Sequence, residues 1–136
     1  MTVIVCIDDR GGMLFNRRRL SRDRVLTADA VAFAKAEGKR LSICGFSEKL
    51  FEEHTDCVTV DENFLEKNDA VCFVENKALS PLVDRIDRLV LYRWNRTYPF
   101  DTALDIDPEK APWKLLSREE FAGYSHEKIT KEIYVK

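Results

Sequence analysis

Histidine is scarce in this 136-residue chain: there are two, His54 and His126, far apart in the sequence. The four cysteines, Cys6, Cys44, Cys57 and Cys72, sit in or beside short apolar runs, and no two form a Cys-x-x-Cys pair. A structural or catalytic zinc site needs closely spaced thiolates or imidazoles, so no metal is expected. The thiols read instead as reduced, small hydrophobes. Glycine (5) and proline (4) are too few for a linker or a low-complexity segment. No apolar stretch approaches the roughly 18 residues of a membrane span. The opening run Val3-Ile4-Val5-Cys6-Ile7 is too short for a signal sequence and lacks a basic leader, so a cytoplasmic protein is expected. Neither sign of charge dominates. Lys plus Arg is 22 against 24 for Asp plus Glu, a net charge of −2 that does not call for nucleic acid or a membrane as partner.

What remains is ordinary globular material, 45% hydrophobic and 34% charged, enough for a single domain over residues 1–136. The β-branched run at Val3–Ile7 predicts a buried strand, closed by the turn cluster Asp8-Asp9-Arg10-Gly11-Gly12. Ser21 is placed as a helix N-cap with Asp23 in the first turn, and Val25, Leu26, Ala30, Val31, Phe33 and Ala34 form an apolar helical face ended by Gly38. Leu41–Cys44 reads as a second strand, followed by a short helix capped by Ser47 and running to Phe51. Cys57–Val60 is a third strand, and Asp61 caps a short helix holding Phe64 and Leu65. Ala70–Val74, apolar throughout, predicts a central strand covered on both faces. Pro81 lies in a helical link, and Arg88–Trp94 is a further strand. Trp113–Phe121 and Lys128–Val135 make a strand pair turning near Gly123. Alternation followed by a pair predicts an α/β fold: a mostly parallel mixed sheet flanked by helices, with antiparallel strands at its C-terminal end.

Several segments then resemble dihydrofolate reductase in collinear order. Val83-Asp84-Arg85-Ile86-Asp87-Arg88-Leu89-Val90-Leu91-Tyr92-Arg93 is similar to that family's A-D-R-L-Y-L-T strand. Phe100-Asp101-Thr102, Ile106-Asp107, Trp113-Lys114-Leu115, Ser117-Arg118-Glu119-Glu120-Phe121 and Glu132-Ile133-Tyr134-Val135 follow its closing sequence. Near the start, Gly12-Met13 and Leu20-Ser21-Arg22-Asp23 resemble its first loop and its L-P-x-D helix start. The resemblance implies a dihydrofolate reductase-like fold, shortened in the middle, where the span from Phe51 to Cys57 leaves no room for the family's extra strand and folate-tail arginine. A trimmed sheet also leaves an edge open to a second copy. Segments such as Leu14-Phe15-Asn16 and Ser125-His126-Glu127-Lys128-Ile129-Thr130 are similar to short bacterial chains labelled ribonuclease Z. Two distant histidines cannot supply that enzyme's H-x-H-x-D-H zinc cluster.

By the same resemblance, Asp23 takes the position of the family's single catalytic carboxylate, which is useful as a proton donor only where burial raises its pKa. The alternative is a first-turn carboxylate set against the helix dipole. Ile4, Arg24, Thr27, Val74 and Tyr92 are placed around the substrate, but Arg24 and Thr27 stand where the family is apolar, and Tyr92 replaces a small hydroxyl residue. A guanidinium at Arg24 is expected to lower the Asp23 pKa. The resemblance implies NADPH as cofactor, gripped at Gly45 and Ser47 and at a Gly-Gly pair. That pair reads Glu75-Asn76 here, a carboxylate and a side chain where the backbone has to approach a pyrophosphate.

Arg17, Arg18 and Arg19, with Arg22 and Arg24, concentrate positive charge in the loop expected to cover the site. They suit phosphate or carboxylate groups, or a nucleic acid backbone, or else form a solvated face paired with Asp8, Asp9 and Asp29. Trp94 and Tyr98 read as core or rim, and His126 as a solvated turn residue. Three functions stay open: a binding protein for a small anionic or heterocyclic ligand, with a pocket between the arginine loop and Val74; an NADPH-dependent reductase of a pteridine-like substrate; and a module that binds nucleic acid or an acidic protein through the Arg17–Arg24 cluster.

Overall fold

The computed structural model describes all 136 residues. Strand β1 (Thr2–Ile7) is the centre of the architecture because both its faces carry apolar, largely β-branched side chains. Val3, Ile4 and Val5 are completely buried. Around it lie β4 (Leu41–Ile43), β5 (Val58–Val60), β6 (Val71–Phe73), β7 (Arg88–Arg93), β9 (Lys114–Phe121) and β10 (Ile129–Val135), in the order β5-β4-β6-β1-β7-β10-β9. The first five are parallel, while β10 runs antiparallel to both β7 and β9. The register Thr2↔Arg88 and Ile4↔Val90 brings the ends of β1 and β7 level.

Alternation along the strands sorts the side chains into two cores. Ile4, Phe73, Val90 and Tyr92 face helix α1 (Arg24–Ala36), which buries Leu26, Ala30, Val31 and Ala34 against them. Val3, Val5, Cys72, Leu89 and Leu91 face the other way, under Met13, Leu79, Ile86 and Trp113. Two layers on one sheet thus follow from a single residue offset.

Helix α1 starts two residues later than Ser21 predicts. Asp23 is the N-cap, in extended backbone, and its carboxylate accepts from the Val25 and Leu26 amides. Ser21 is not a cap, because its hydroxyl is committed to His126. At the far end Gly38 takes a left-handed φ of 71°, just past the C-cap Glu37, as expected. Helix α2 is only Gly45–Glu48 and passes into a 3-10 stretch over Lys49–Cys57. Ser47 lies inside it, not at its head, since its buried hydroxyl donates to Glu75.

The arginine run is not a loop. Gly12–Phe15 (β2) and Arg18–Arg19 (β3) form a hairpin, with Thr102–Ala103 (β8) on the other side of β2. Asn16 and Arg17 make its two-residue turn, both with positive φ (50° and 62°), the geometry that matches the twist of the flanking strands. Gly12 is required here: a Cβ would stand 2.5 Å from the Phe100 ring. Asp8, fully buried, ties these loops together by accepting from the amides of Arg10, Gly12 and Tyr98. All four cysteines are free, Cys44 and Cys72 buried and the others partly so.

Candidate functional site

The N-cap of α1 is also the point where the β9–β10 loop closes on the helix. Asp23 Oδ1 accepts from the Tyr124 amide at 2.9 Å in addition to the helix amides. Oδ2 accepts from the Ser125 amide (2.8 Å), the His126 amide (3.2 Å) and His126 Nδ1 (2.9 Å). Gly123 permits this approach, because a Cβ there would lie 2.6 Å from Asp23 Oδ2. Burial by itself would raise the Asp23 pKa. The hydrogen bonds from the Tyr124 amide, the His126 ring and the Ser125 and Val25 amides outweigh it and hold the carboxyl well below the usual range. A carboxylate held this way stays charged; it is a poor proton donor near neutrality.

His126 overturns its expected solvation. It is 3% exposed, stacked on Trp94 with ring centroids 4.7 Å apart. Its Nε2 lies 3.0 Å from Ser21 Oγ and 3.2 Å from the Tyr98 hydroxyl. The carboxylate can only accept, so Nδ1 carries the hydrogen, and Nε2 of the neutral ring is the acceptor that faces the two hydroxyls. Sequence reading missed this residue because an isolated histidine in a polar turn carries no periodic signal.

Beside Asp23 lies an open polar cavity of about 400 Å³, bordered by α1 and the 3-10 stretch after α2. Arg22, Arg24 and Lys49 bring positive charge, Glu52 and Glu53 bring negative charge, His54 adds an imidazole, and Leu50 and Tyr124 form its apolar wall. Of the residues placed around a substrate by resemblance, Asp23, Arg24 and Thr27 border this cavity. Ile4, Val74 and Tyr92 do not. They are at most 1% exposed and belong to the packed core, so the cavity does not extend from the arginine hairpin to Val74 as expected. The Tyr92 hydroxyl donates to Asp29 at 2.5 Å, and Lys131 Nζ holds the same Asp29 oxygen at 2.9 Å. Arg24 does not set the Asp23 pKa: its guanidinium pairs with Glu53.

The arginines are dispersed, not convergent. Arg17 and Arg18 are exposed on the hairpin. Arg19 reaches across to the end of β6, where Nε and Nη2 donate to the two oxygens of Glu75 at 2.8 and 2.9 Å, and Nη2 also reaches the Phe46 carbonyl. Local acids do not neutralise the run as expected, because Asp8, Asp9 and Asp29 spend their oxygens on backbone amides, Thr97, Tyr92 and Lys131. Gly45, Ser47, Glu75 and Asn76 lie at the ends of β4 and β6, where Ser47 and Glu75 bond to each other and the other two to neighbouring residues. Ser47 Oγ donates to Glu75 (2.7 Å), Cys44 Sγ approaches Asn76 Oδ1 (3.6 Å), and the Gly45 amide donates to Glu62 (2.6 Å). Burial first, then the nearby Glu75 charge, pushes the Cys6 thiol well up.

Among solved structures, the chain is similar to the dihydrofolate reductase of Enterococcus faecalis complexed with NADP(H) and RAB-propyl. The TM-score is 0.63 over 98% of this chain and 94% of that one, at 12% sequence identity. The fold is dihydrofolate reductase-like. No protein-family model and no curated protein sequence matches. At this identity the dihydrofolate reductase-like fold is what is shared; the chemistry has to come from the residues described above. No helix is long and apolar enough to cross a membrane.

Proposed function

We propose that this chain is a small-ligand-binding protein of dihydrofolate reductase-like fold, with its dinucleotide cleft closed by its own side chains and an anionic or heterocyclic molecule bound in the polar cavity at the head of α1. One observation carries the reading: the Arg19–Glu75 pair, braced by Ser47, occupies the ends of β4 and β6. A pyrophosphate placed there would meet the Glu75 carboxylate. The Gly45 amide, which would have to face a phosphate, is already taken by Glu62. These residues do not fit the phosphates of NADPH. The four cysteines, all free, fit the cytoplasmic location that forms part of the same reading. The dispersal of the arginines weighs against a nucleic acid surface, which needs convergent cations.

A thermal-shift screen tests the proposal. A small carboxylate, phosphate ester or pterin should raise Tm, and Arg22→Ala with Lys49→Ala should remove the effect while leaving the unliganded Tm unchanged. NADPH at millimolar concentration should produce no shift. A clear NADPH shift, with no response to any small anion or heterocycle, would sink this reading.

The second reading, an NADPH-dependent reductase of a pteridine-like substrate, draws support from the NADP(H) held by the similar Enterococcus faecalis enzyme. It requires dihydrofolate turnover that Asp23→Asn abolishes. The saturation of Asp23 by amides and His126 weighs against it.

A further inference from the structure

Ser21, His126 and Asp23 stand in a line in which each donor meets an acceptor. The Ser21 hydroxyl faces His126 Nε2 at 3.0 Å, and His126 Nδ1 faces Asp23 Oδ2 at 2.9 Å. The carboxylate is buried and held charged by backbone amides, and the ring is fixed in its plane by Trp94. Tyr98 alone would satisfy Nε2, so the Ser21 hydroxyl is not needed to pair it. It is also the partly exposed member of the set, next in sequence to Arg22 at the cavity rim. A serine, an imidazole with a fixed tautomer and a buried carboxylate in this order are the parts of nucleophilic acyl transfer, which recurs on unrelated folds and is recognised by geometry.

We propose that Ser21 is a nucleophile, with His126 as its general base and Asp23 as the residue that positions the ring, and that the site hydrolyses small carboxylic esters carrying a negative charge. Ser21 Oγ bonds to the acyl carbon while its proton passes to Nε2. The ester C–O bond then breaks, and the imidazolium returns that proton to the departing alcohol. Water, deprotonated by the same nitrogen, attacks the acyl-serine and releases the acid, restoring Ser21. Arg22, at the rim, supplies the charge that selects an anionic ester. The inference rests on the Ser21–His126–Asp23 geometry and does not depend on the ligand-binding reading. Its readout is a covalent bond at a named atom, not a thermal shift.

The test is covalent labelling of the folded protein with a serine-directed fluorophosphonate, read by intact mass and peptide mapping, alongside hydrolysis of an activated anionic ester, mono-p-nitrophenyl succinate. The adduct should map to Ser21. Ser21→Ala should lose labelling and hydrolysis by about 100-fold or more at unchanged Tm. His126→Gln should do the same, and where that variant fails to fold, the mapped position of the adduct in the wild type and its loss in folded Ser21→Ala carry the point. A folded wild-type protein left unlabelled at Ser21, or hydrolysis equal to that of Ser21→Ala, overturns the proposal.

Discussion

Asp23 Oδ2 stands 2.6 Å from the place a Cβ on Gly123 would occupy, so this one contact decides which residue can turn the β9–β10 loop. The His126 carbonyl and Ile129 Cδ1 also stand within 2.9 Å of the position, so backbone as well as side chains would have to give way. Gly123→Ala is therefore expected to push the loop off the α1 N-terminus. The cost should be about 1–3 kcal/mol, the range for overpacking a tight site. Urea denaturation measures it. A loss below a few tenths of a kcal/mol would show that the loop shifts freely.

Asp23 itself is expected to be a stability residue at every pH where it is charged. Asp23→Ala removes the helix cap and leaves the Tyr124, Ser125 and His126 amides without an acceptor, for a loss of about 2–4 kcal/mol. The pH dependence has a definite sign. The folded pKa is depressed below the unfolded value of about 3.9, so the stabilisation is fully present above roughly pH 4 and is lost as pH falls below it. Denaturation of wild type and Asp23→Asn at pH 7 and pH 3 checks this: the gap between them should narrow on acidification. A constant gap would refute the account.

The Arg19–Glu75 pair joins residues 56 positions apart and is only partly exposed at either end, with side chains 25% and 10% accessible. Glu75→Ala leaves a guanidinium and the Ser47 hydroxyl without their partner and should cost about 3 kcal/mol. Removing both charges in Arg19→Ala with Glu75→Ala should recover at least about 1 kcal/mol relative to the sum of the single changes. A double-mutant cycle by chemical denaturation reads the coupling. Strict additivity would mean the pair contributes no interaction of its own.

At the hairpin tip Arg17 holds a φ of 62° without glycine's freedom. Arg17→Gly, giving Asn16 the neighbour that this turn favours, should stabilise the protein by about 0.5–1 kcal/mol. Thermal unfolding is the measurement. A lower Tm would show that the Arg17 side chain contributes more than the turn costs.

Pattern carried much of this fold in plain view. The β-branched run at Val3–Ile7 and the unbroken apolar run at Ala70–Val74 mark strands buried on both faces, and the spacing of Leu26, Ala30, Val31 and Ala34 marks a helix with one buried face. The small sheet of β2, β3 and β8 was not legible. Its strands are four, two and two residues long, too short for a period to register, and the turn rests on Arg17 adopting a conformation its side chain does not favour. At the site, Asp23 could be singled out from its place before a helix, but its role could not. Whether such a carboxyl becomes a proton donor or a clamped anion depends on the amides that reach it from more than 100 residues away.

The sequence by itself determined the strands of the large sheet, the body of α1 and the two faces that they bury, because burial periodicity is a local property of the chain. Only the tertiary structure decided that Arg19 meets Glu75 across the sheet ends, and that His126 leaves its polar turn to lie between Asp23, Ser21 and Trp94. Hydrogen bonds and charge pairs between distant segments depend on how loops are laid over the sheet. No periodicity in the chain encodes that path.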